Sequence, residues 1–413
     1  MKTLEAMGIA AKNAASVLAG ATAKQKNDLL ITAADALIAA EDKLIAANKI
    51  DIENGKAKGL TDALLDRLRL TKARIADMAN GLLEIANEGD PIGEIIQGVK
   101  RPNGLNISKV RVPLGVVGII YEARPNVTAD AFGICVKAGN AVILRGGKEA
   151  INSNLAIIKV LKAAVKEVGL PEGTVDLVED TSRSSATELM KLKYLDLLIP
   201  RGGAALIKAT VENATVPVIE TGVGNCHAFV DETADLQMAL NIVENAKCQR
   251  PSVCNALETL LVHKNIAKQF LPQIQKVLSK HDTKIKGCEK TLSILNDITL
   301  ATDEDYKTEF LDYVIAVKVV DNLDEAINHI RKYSTGHSES IITMNYQNAE
   351  RFVNELDSAA LYINASTRFT DGGQFGMGAE IGISTGKLHA RGPMGINDLT
   401  TVKYIIRGNG QIR

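Results

Sequence analysis

Residues 114–145 constrain the fold of this chain more than any other stretch. PLGVVGIIYEA is an apolar run of strand length, NVTADAFGICVKAGN has helical spacing and closes on Gly139-Asn140, and AVILRGGKEA is a second apolar run. Two strands that are apolar throughout, joined by a helix, make a βαβ unit in a parallel sheet covered on both faces; a strand with one wet face would alternate instead. The rhythm continues through NSNLAIIKVLKAAVKEVG, TVDLVE, ATELMK and LDLLIPRGG, which predicts a doubly wound α/β domain.

Such sheets bind ligands beyond the carboxyl ends of their strands. Two predicted ends stand out, Arg145-Gly146-Gly147-Lys148 and Pro200-Arg201-Gly202-Gly203. Each joins glycines, which let backbone amides approach an anion, to a fixed positive charge. No GxGxxG follows the first strand, so the usual dinucleotide fingerprint is missing and spacing favours a nucleotide site only slightly over plain turn glycines.

The flanks differ in character. Residues 3–88 are rich in alanine and leucine at helical spacing and read as several amphipathic helices, with Gly59 and Gly89 at helix ends. In GVKRPNGLNISKVRVP, an asparagine-glycine pair between alternating residues predicts a hairpin with little core of its own. After Glu220 a second α/β rhythm begins, with ALETLLVH, a helix from Asn265 to about Leu278, YVIAVKVV and the helix NLDEAINHIRKYS. At 413 residues the chain exceeds what one hydrophobic core supports, so two packed units with a small appendage are expected.

The formal net charge of −1 argues against nucleic-acid or membrane binding, which needs concentrated basic charge; a small-molecule partner fits better. The five cysteines are scattered without CxxC or Cys/His ligand spacing, so neither a disulfide framework nor a metal site is expected, and reduced thiols point to the cytoplasm. No signal peptide and no run of about 18 apolar residues is visible.

One pair of residues carries chemistry. IETGVGN places Glu220 on a glycine-rich turn, and QRPSVCNALE places Cys254 between a polar loop and a strand, 34 residues later. A thiol and a carboxylate on rigid supports supply a nucleophile and an acid/base group. Arg250 and the polar QRPS approach would lower the thiol pKa, whereas Cys135, Cys226, Cys248 and Cys288 need only packing to explain them.

PLGVVGII, RGGKEA, IPRGG, IETGVGN and the later cysteine stand in the order found in the aldehyde dehydrogenase superfamily. VVDNLDEAINHIRKYSTGHSESI, QRPSVCNALE and RFTDGGQFGMGAEIGISTGKLHARGP closely resemble its gamma-glutamyl phosphate reductase family, the glutamate-5-semialdehyde dehydrogenases, and the resemblance covers essentially the whole chain. It implies two doubly wound α/β domains plus a small β oligomerisation flap. An NADPH-binding domain would take residues 1–97 and 114–224, with 371–392 packing back on it. A catalytic domain would take 225–370, and the flap 98–113 and 393–413.

The implied reaction is NADPH-dependent reduction of glutamyl 5-phosphate to glutamate 5-semialdehyde with release of phosphate, the second step of proline synthesis, through a thioester on Cys254. The resemblance places Arg145 and Lys148 at the adenosine ribose, with Lys148 suited to the 2′-phosphate of NADP; Gly146, Gly147, Arg201, Gly202 and Gly203 border the cofactor, and Glu309 meets the nicotinamide ribose. Asn126 matches the oxyanion-hole asparagine only with a small shift, and Arg124 could take that place. Glu220 is a proton carrier or a structural group, since a phosphate-releasing reductase must avoid hydrolytic water. Arg124, Arg250, Ser252, His337, Ser338 and Arg368 are candidates for holding the substrate's amino-acid and phosphate ends. The expected partners are this substrate, further copies of the chain in a dimer or tetramer, and, transiently, glutamate 5-kinase.

Overall fold

The structure is a computed structural model that describes residues 2–413. It divides into two compact units, one running to Thr221 with Gly376–Gly382 and Met394–Arg413, the other comprising Gly222–Phe375 and Ile383–Pro393.

The first unit opens with α1 (Leu4–Leu18), α2 (Ala23–Ala39), α3 (Glu41–Ala57), α4 (Asp62–Leu68) and α5 (Lys72–Asn87). Threonine starts four of them: the side chains of Thr3, Thr22, Thr61 and Thr71 each accept a first-turn N–H, and Thr22 forms a capping box with Gln25. Gly59, at φ +73°, ends α3 in the left-handed conformation that glycine adopts without cost. The buried stripes of α2 and α5 pack on each other and on the helices of the sheet.

β1 (Ile95–Lys100) and β2 (Asn106–Pro113) form the expected antiparallel hairpin, turning at Gly104 with φ +90°. Then come β3 (Val116–Tyr121), α6 (Asn126–Lys137), β4 (Ala141–Arg145), α7 (Ile151–Glu167), β5 (Val175–Leu177), α8 (Arg183–Met190), β6 (Leu197–Arg201) and α9 (Ala204–Asn213). The four strands are parallel in the order β5-β4-β3-β6. Every residue of β3 is buried, as its unbroken apolar run requires. The order reverses at β3, which puts a switch point at the carboxyl ends of β3, β4 and β6.

The strand Thr400–Arg407 pairs antiparallel with β2 along its length, completing a three-stranded flap. Asn140, at the end of α6, donates to the Leu399 carbonyl at 2.8 Å and ties the start of that strand to the first unit. The hairpin begins at Ile95, earlier than the 98–113 expected.

In the second unit lie β7 (Cys226–Val230), α10 (Leu236–Cys248), β8 (Leu257–His263), α11 (Lys264–Ser279), β9 (Lys284–Gly287), α12 (Glu289–Leu292), β10 (Thr299–Leu300), β11 (Val314–Val320), α13 (Leu323–Tyr333), β12 (Ser338–Ile342), α14 (Tyr346–Glu355) and β13 (Ala360–Ile363). Seven of its strands form one parallel sheet in the order β10-β9-β11-β8-β7-β12-β13, while Ile383–Ser384 and Gly392–Pro393 pair antiparallel as a separate two-stranded sheet. Leu260 and Val262 face a core made with Val243, Phe270 and Ile274, whereas Leu261 faces Ile327, Ile330 and Phe352. The two-residue period of β8 thus builds both cores at once.

Of the segment 371–392, Gly376–Gly382 groups with the first unit and Ile383–Pro393 with the second, so the chain crosses between them more than once. No described helix is long and apolar enough to cross a membrane, and among the described residues no His, Cys, Asp and Glu side chains gather to hold a metal ion.

Candidate active site

In the first unit the carboxyl ends of the strands open into a cleft of about 560 Å³ lined by Glu122, Arg145, Gly147, Lys148, Ser182 and Arg183 among others. The glycines stand close to neighbouring side chains. A Cβ on Gly146 would lie 2.1 Å from Asn154 Nδ2, one on Gly147 2.7 Å from the Glu149 carboxylate, and one on Gly202 2.6 Å from the carboxyl carbon of Glu122. Gly203 N–H, at the start of α9, donates to Glu122 Oε2 at 2.9 Å. A carboxylate therefore occupies an amide that suits any anion, and the residues fit the pyrophosphate of a dinucleotide.

Two cations at this edge do different things. Arg145 Nη2 donates to the carbonyls of Thr181 at 2.7 Å and Ser182 at 2.9 Å, and burial lowers its pKa. It braces the loop after β5. Lys148 opens the single 3₁₀ turn Lys148–Ala150 and is exposed on the cleft. Arg201 ends β6, and its carbonyl accepts the Glu122 N–H at 3.1 Å.

Asn126 is the first residue of α6, and its side-chain amide donates to Asp130 Oδ2 at 2.9 Å. Arg124 is half-buried in the turn before it. Glu220 is exposed just after residues 217–219, which run beside β6, and the next residue, Thr221, donates to the Pro200 carbonyl at 2.7 Å.

In the second unit the chemistry lies at the opposite end of a sheet. Gly224 precedes β7, Cys254 precedes β8, Glu309 precedes β11 and His337 precedes β12. Because these strands are parallel and lie side by side, the residues ahead of them meet at one amino edge. Gly224 N–H donates to Glu309 Oε1 at 2.7 Å, and the Cys226 thiol donates to the Cys254 carbonyl at 3.2 Å. A Cβ on Gly224 would lie 1.5 Å from that same carbonyl oxygen.

Cys254 itself is half-buried on the turn between α10 and β8. Burial pushes up the thiols of Cys135, Cys226 and Cys248, which leaves them protonated and inert. The next residue, Asn255, donates to the Thr370 carbonyl at 2.9 Å and accepts from Arg368 Nη1; Arg368 Nε donates to Gln249 at 3.1 Å. Burial and then the neighbouring charge of Arg250 lower the Arg368 pKa. Arg250 is exposed on the approach to the cysteine turn, with Ser252 half-buried between it and Cys254 in sequence.

His337 and Ser338 are fully buried, unlike the ligand-facing groups expected. The imidazole Nδ1 and the Ser338 hydroxyl are 2.8 Å apart, Ser338 meets Thr370 at 2.7 Å, and Thr370 meets the Tyr362 hydroxyl at 2.7 Å. Burial pushes the His337 pKa down to about 4, so the ring is neutral at pH 7 and supports Cys226, whose sulfur is 3.7 Å from Nδ1. An apolar pattern around a polar residue does not show whether its hydroxyl or ring turns inward. Sequence reasoning also passed over Gly224, Asn255 and Glu122. The signals were present in part: GVGN holds two glycines where one turn needs one, and Glu122 ends an otherwise apolar strand.

The Aldehyde dehydrogenase family model matches residues 2–291 and 294–405. The chain belongs to that family of thiol-bearing two-unit α/β proteins. Its relatives include gamma-glutamyl phosphate reductases of Heliobacterium modesticaldum, 61% identical with 99% of each chain covered, and of Clostridium botulinum, 59% identical with 100% of each covered. The crystal structure of gamma-glutamyl phosphate reductase from Thermotoga maritima superposes with a TM-score of 0.96 at 51% identity, covering 98% of this chain and 99% of that one.

Proposed function

We infer that this chain reduces L-glutamyl 5-phosphate to L-glutamate 5-semialdehyde and phosphate, the second step from glutamate to proline, with NADPH as reductant. Full-length identity near 60% to enzymes of that name supports the reaction. The observation that carries the mechanism is the half-buried Cys254 on a turn whose next residue, Asn255, accepts from the Arg368 guanidinium. Arginines attract the substrate's anionic ends and favour the thiolate.

In this reading the Cys254 thiolate attacks the acyl carbon, the acyl–oxygen bond to phosphate breaks, and a thioester forms. NADPH, when bound, supplies the hydride that turns the thioester into aldehyde and returns the thiolate. Arg250 and Arg368 orient the substrate, with Ser252 as a further donor. Asn126, one N–H of whose amide goes to Asp130, and Arg124 are the candidate oxyanion donors. Glu220 is assigned the proton-carrying carboxylate. Gly146, Gly147, Gly202 and Gly203 admit the pyrophosphate, Lys148 takes the 2′-phosphate, and Glu309 takes the nicotinamide ribose.

The flap supports self-association. Val99, Ile107 and Ile406 stand opposite one another across its three strands, and Ile95 and Tyr404 are 62% and 61% exposed. An apolar row of this kind fits a second copy of the chain. A transient hand-over from the kinase that makes the labile acyl phosphate belongs to the same reading.

The test is NADPH oxidation in a coupled mixture of glutamate kinase, ATP and glutamate. The expected result is kinase-dependent NADPH consumption that Cys254→Ser abolishes while NADPH binding persists. No consumption, or an undiminished rate in the serine variant, would refute the reading.

A further inference from the structure

Lys247 near the end of α10 and Glu258 on β8 are both fully buried, with Nζ and Oε2 2.6 Å apart. Leu257, Leu260 and Val262 of the same strand lie in an apolar core, and an ion pair in such a place does not stabilise a fold more than apolar side chains of similar volume would. Packing therefore does not account for it. The second carboxylate oxygen has another partner: Oε1 accepts the Leu311 N–H at 3.2 Å. Leu311 has φ +55°, a left-handed conformation that a leucine keeps only where its surroundings hold it.

We propose that the Lys247–Glu258 pair is a positioning device for Glu309, tying the loop that bears it to the strand that follows the cysteine turn. Glu309 lies two residues before Leu311 and accepts the Gly224 N–H at 2.7 Å, and Gly224 rests on the Cys254 carbonyl. The contacts close a ring from β8 through Leu311, Glu309 and Gly224 back to the turn ahead of β8. The ammonium opposes the loss of the acceptor's charge. Burial pushes the Glu258 carboxyl up to about 7, and Lys247 opposes that rise, while Glu309 adds to it. Around Lys247 stand Cys248 and Asp312 as well as Glu258. The importance of the tether for catalysis rests on the reading that Glu309 serves the cofactor.

Two double variants remove both charges and keep the volume. Lys247→Met with Glu258→Gln leaves a carbonyl oxygen for the Leu311 N–H, whereas Lys247→Met with Glu258→Leu leaves none. Amide hydrogen exchange over residues 305–313 and equilibrium NADPH binding are measured on the full chain. In the Met/Leu protein, exchange across the segment is expected to quicken about tenfold and NADPH to bind about tenfold more weakly. The Met/Gln protein is expected to stay within about threefold of the parent in both. Parental exchange in the Met/Leu protein overturns the proposal. Faster exchange with unchanged NADPH affinity upholds the tether and removes Glu309 from the cofactor site. Should the Met/Leu protein fail to fold, Glu258→Asp, which keeps a charge for Lys247 but has a shorter reach to Leu311, is read by the same two measurements.

Discussion

Gly224 shows how narrowly single residues are fixed at the cysteine turn. Its missing side chain would overlap the Cys254 carbonyl at 1.5 Å, and the obstacle is backbone, which cannot rotate away as a side chain can. Gly224→Ala must shift the cysteine turn, the Glu309 loop, or both. A displacement near 1 Å at a reacting group costs about a hundredfold in rate, so kcat is expected to fall by that order. Iodoacetamide labelling of residue 254 should slow in parallel. A Gly224→Ala protein with parental kcat and parental labelling would show that the turn tolerates the shift. What demands glycine here is close approach rather than a left-handed backbone, since Gly224 does not have a positive φ.

At the scale of elements, the end of β4 gives its two cations different partners. Arg145 spends its guanidinium on the carbonyls of Thr181 and Ser182, while Lys148 heads a short turn and stays on the cleft. Lys148→Glu is therefore expected to weaken NADPH by about ten- to a hundredfold, the range of one charge-assisted contact to phosphate, and to leave NADH nearly unchanged. Removing the brace with Arg145→Met should instead loosen the loop after β5 and weaken both cofactors alike. Titration of each variant with NADPH and NADH separates the cases. Equal losses for both cofactors in Lys148→Glu would take the 2′-phosphate away from that lysine.

Across the whole molecule, the flap leaves a strand edge and an apolar row exposed that neither unit covers within one chain. Long exposed edges of this kind are normally paired or blunted. Tyr404→Lys combined with Ile406→Lys is expected to reduce the particle mass in size-exclusion chromatography with light scattering. Both side chains are already exposed, so folding of each unit should be unaffected. A parental mass in the double variant would place self-association elsewhere on the surface.

Local chemistry decided a great deal. Apolar runs and helical spacing specified the βαβ alternation, Asn103-Gly104 specified the hairpin, and a thiol ahead of the apolar run at 257–263 singled out Cys254 from four other cysteines. Such features are legible because periodicity records which face of an element is buried. What periodicity does not record is which strands lie side by side. The order β10-β9-β11-β8-β7-β12-β13 joins segments far apart in the chain, and only that order brings Gly224, Glu309 and Cys254 to one amino edge. It also turns His337 and Ser338 inward and places Glu258 opposite Lys247, while the pairing of β4 with β5 in the other sheet gives Arg145 its carbonyls. Hydrogen-bond partners are chosen by neighbours in space, so the chemistry of each polar side chain was settled by the packing of parallel strands.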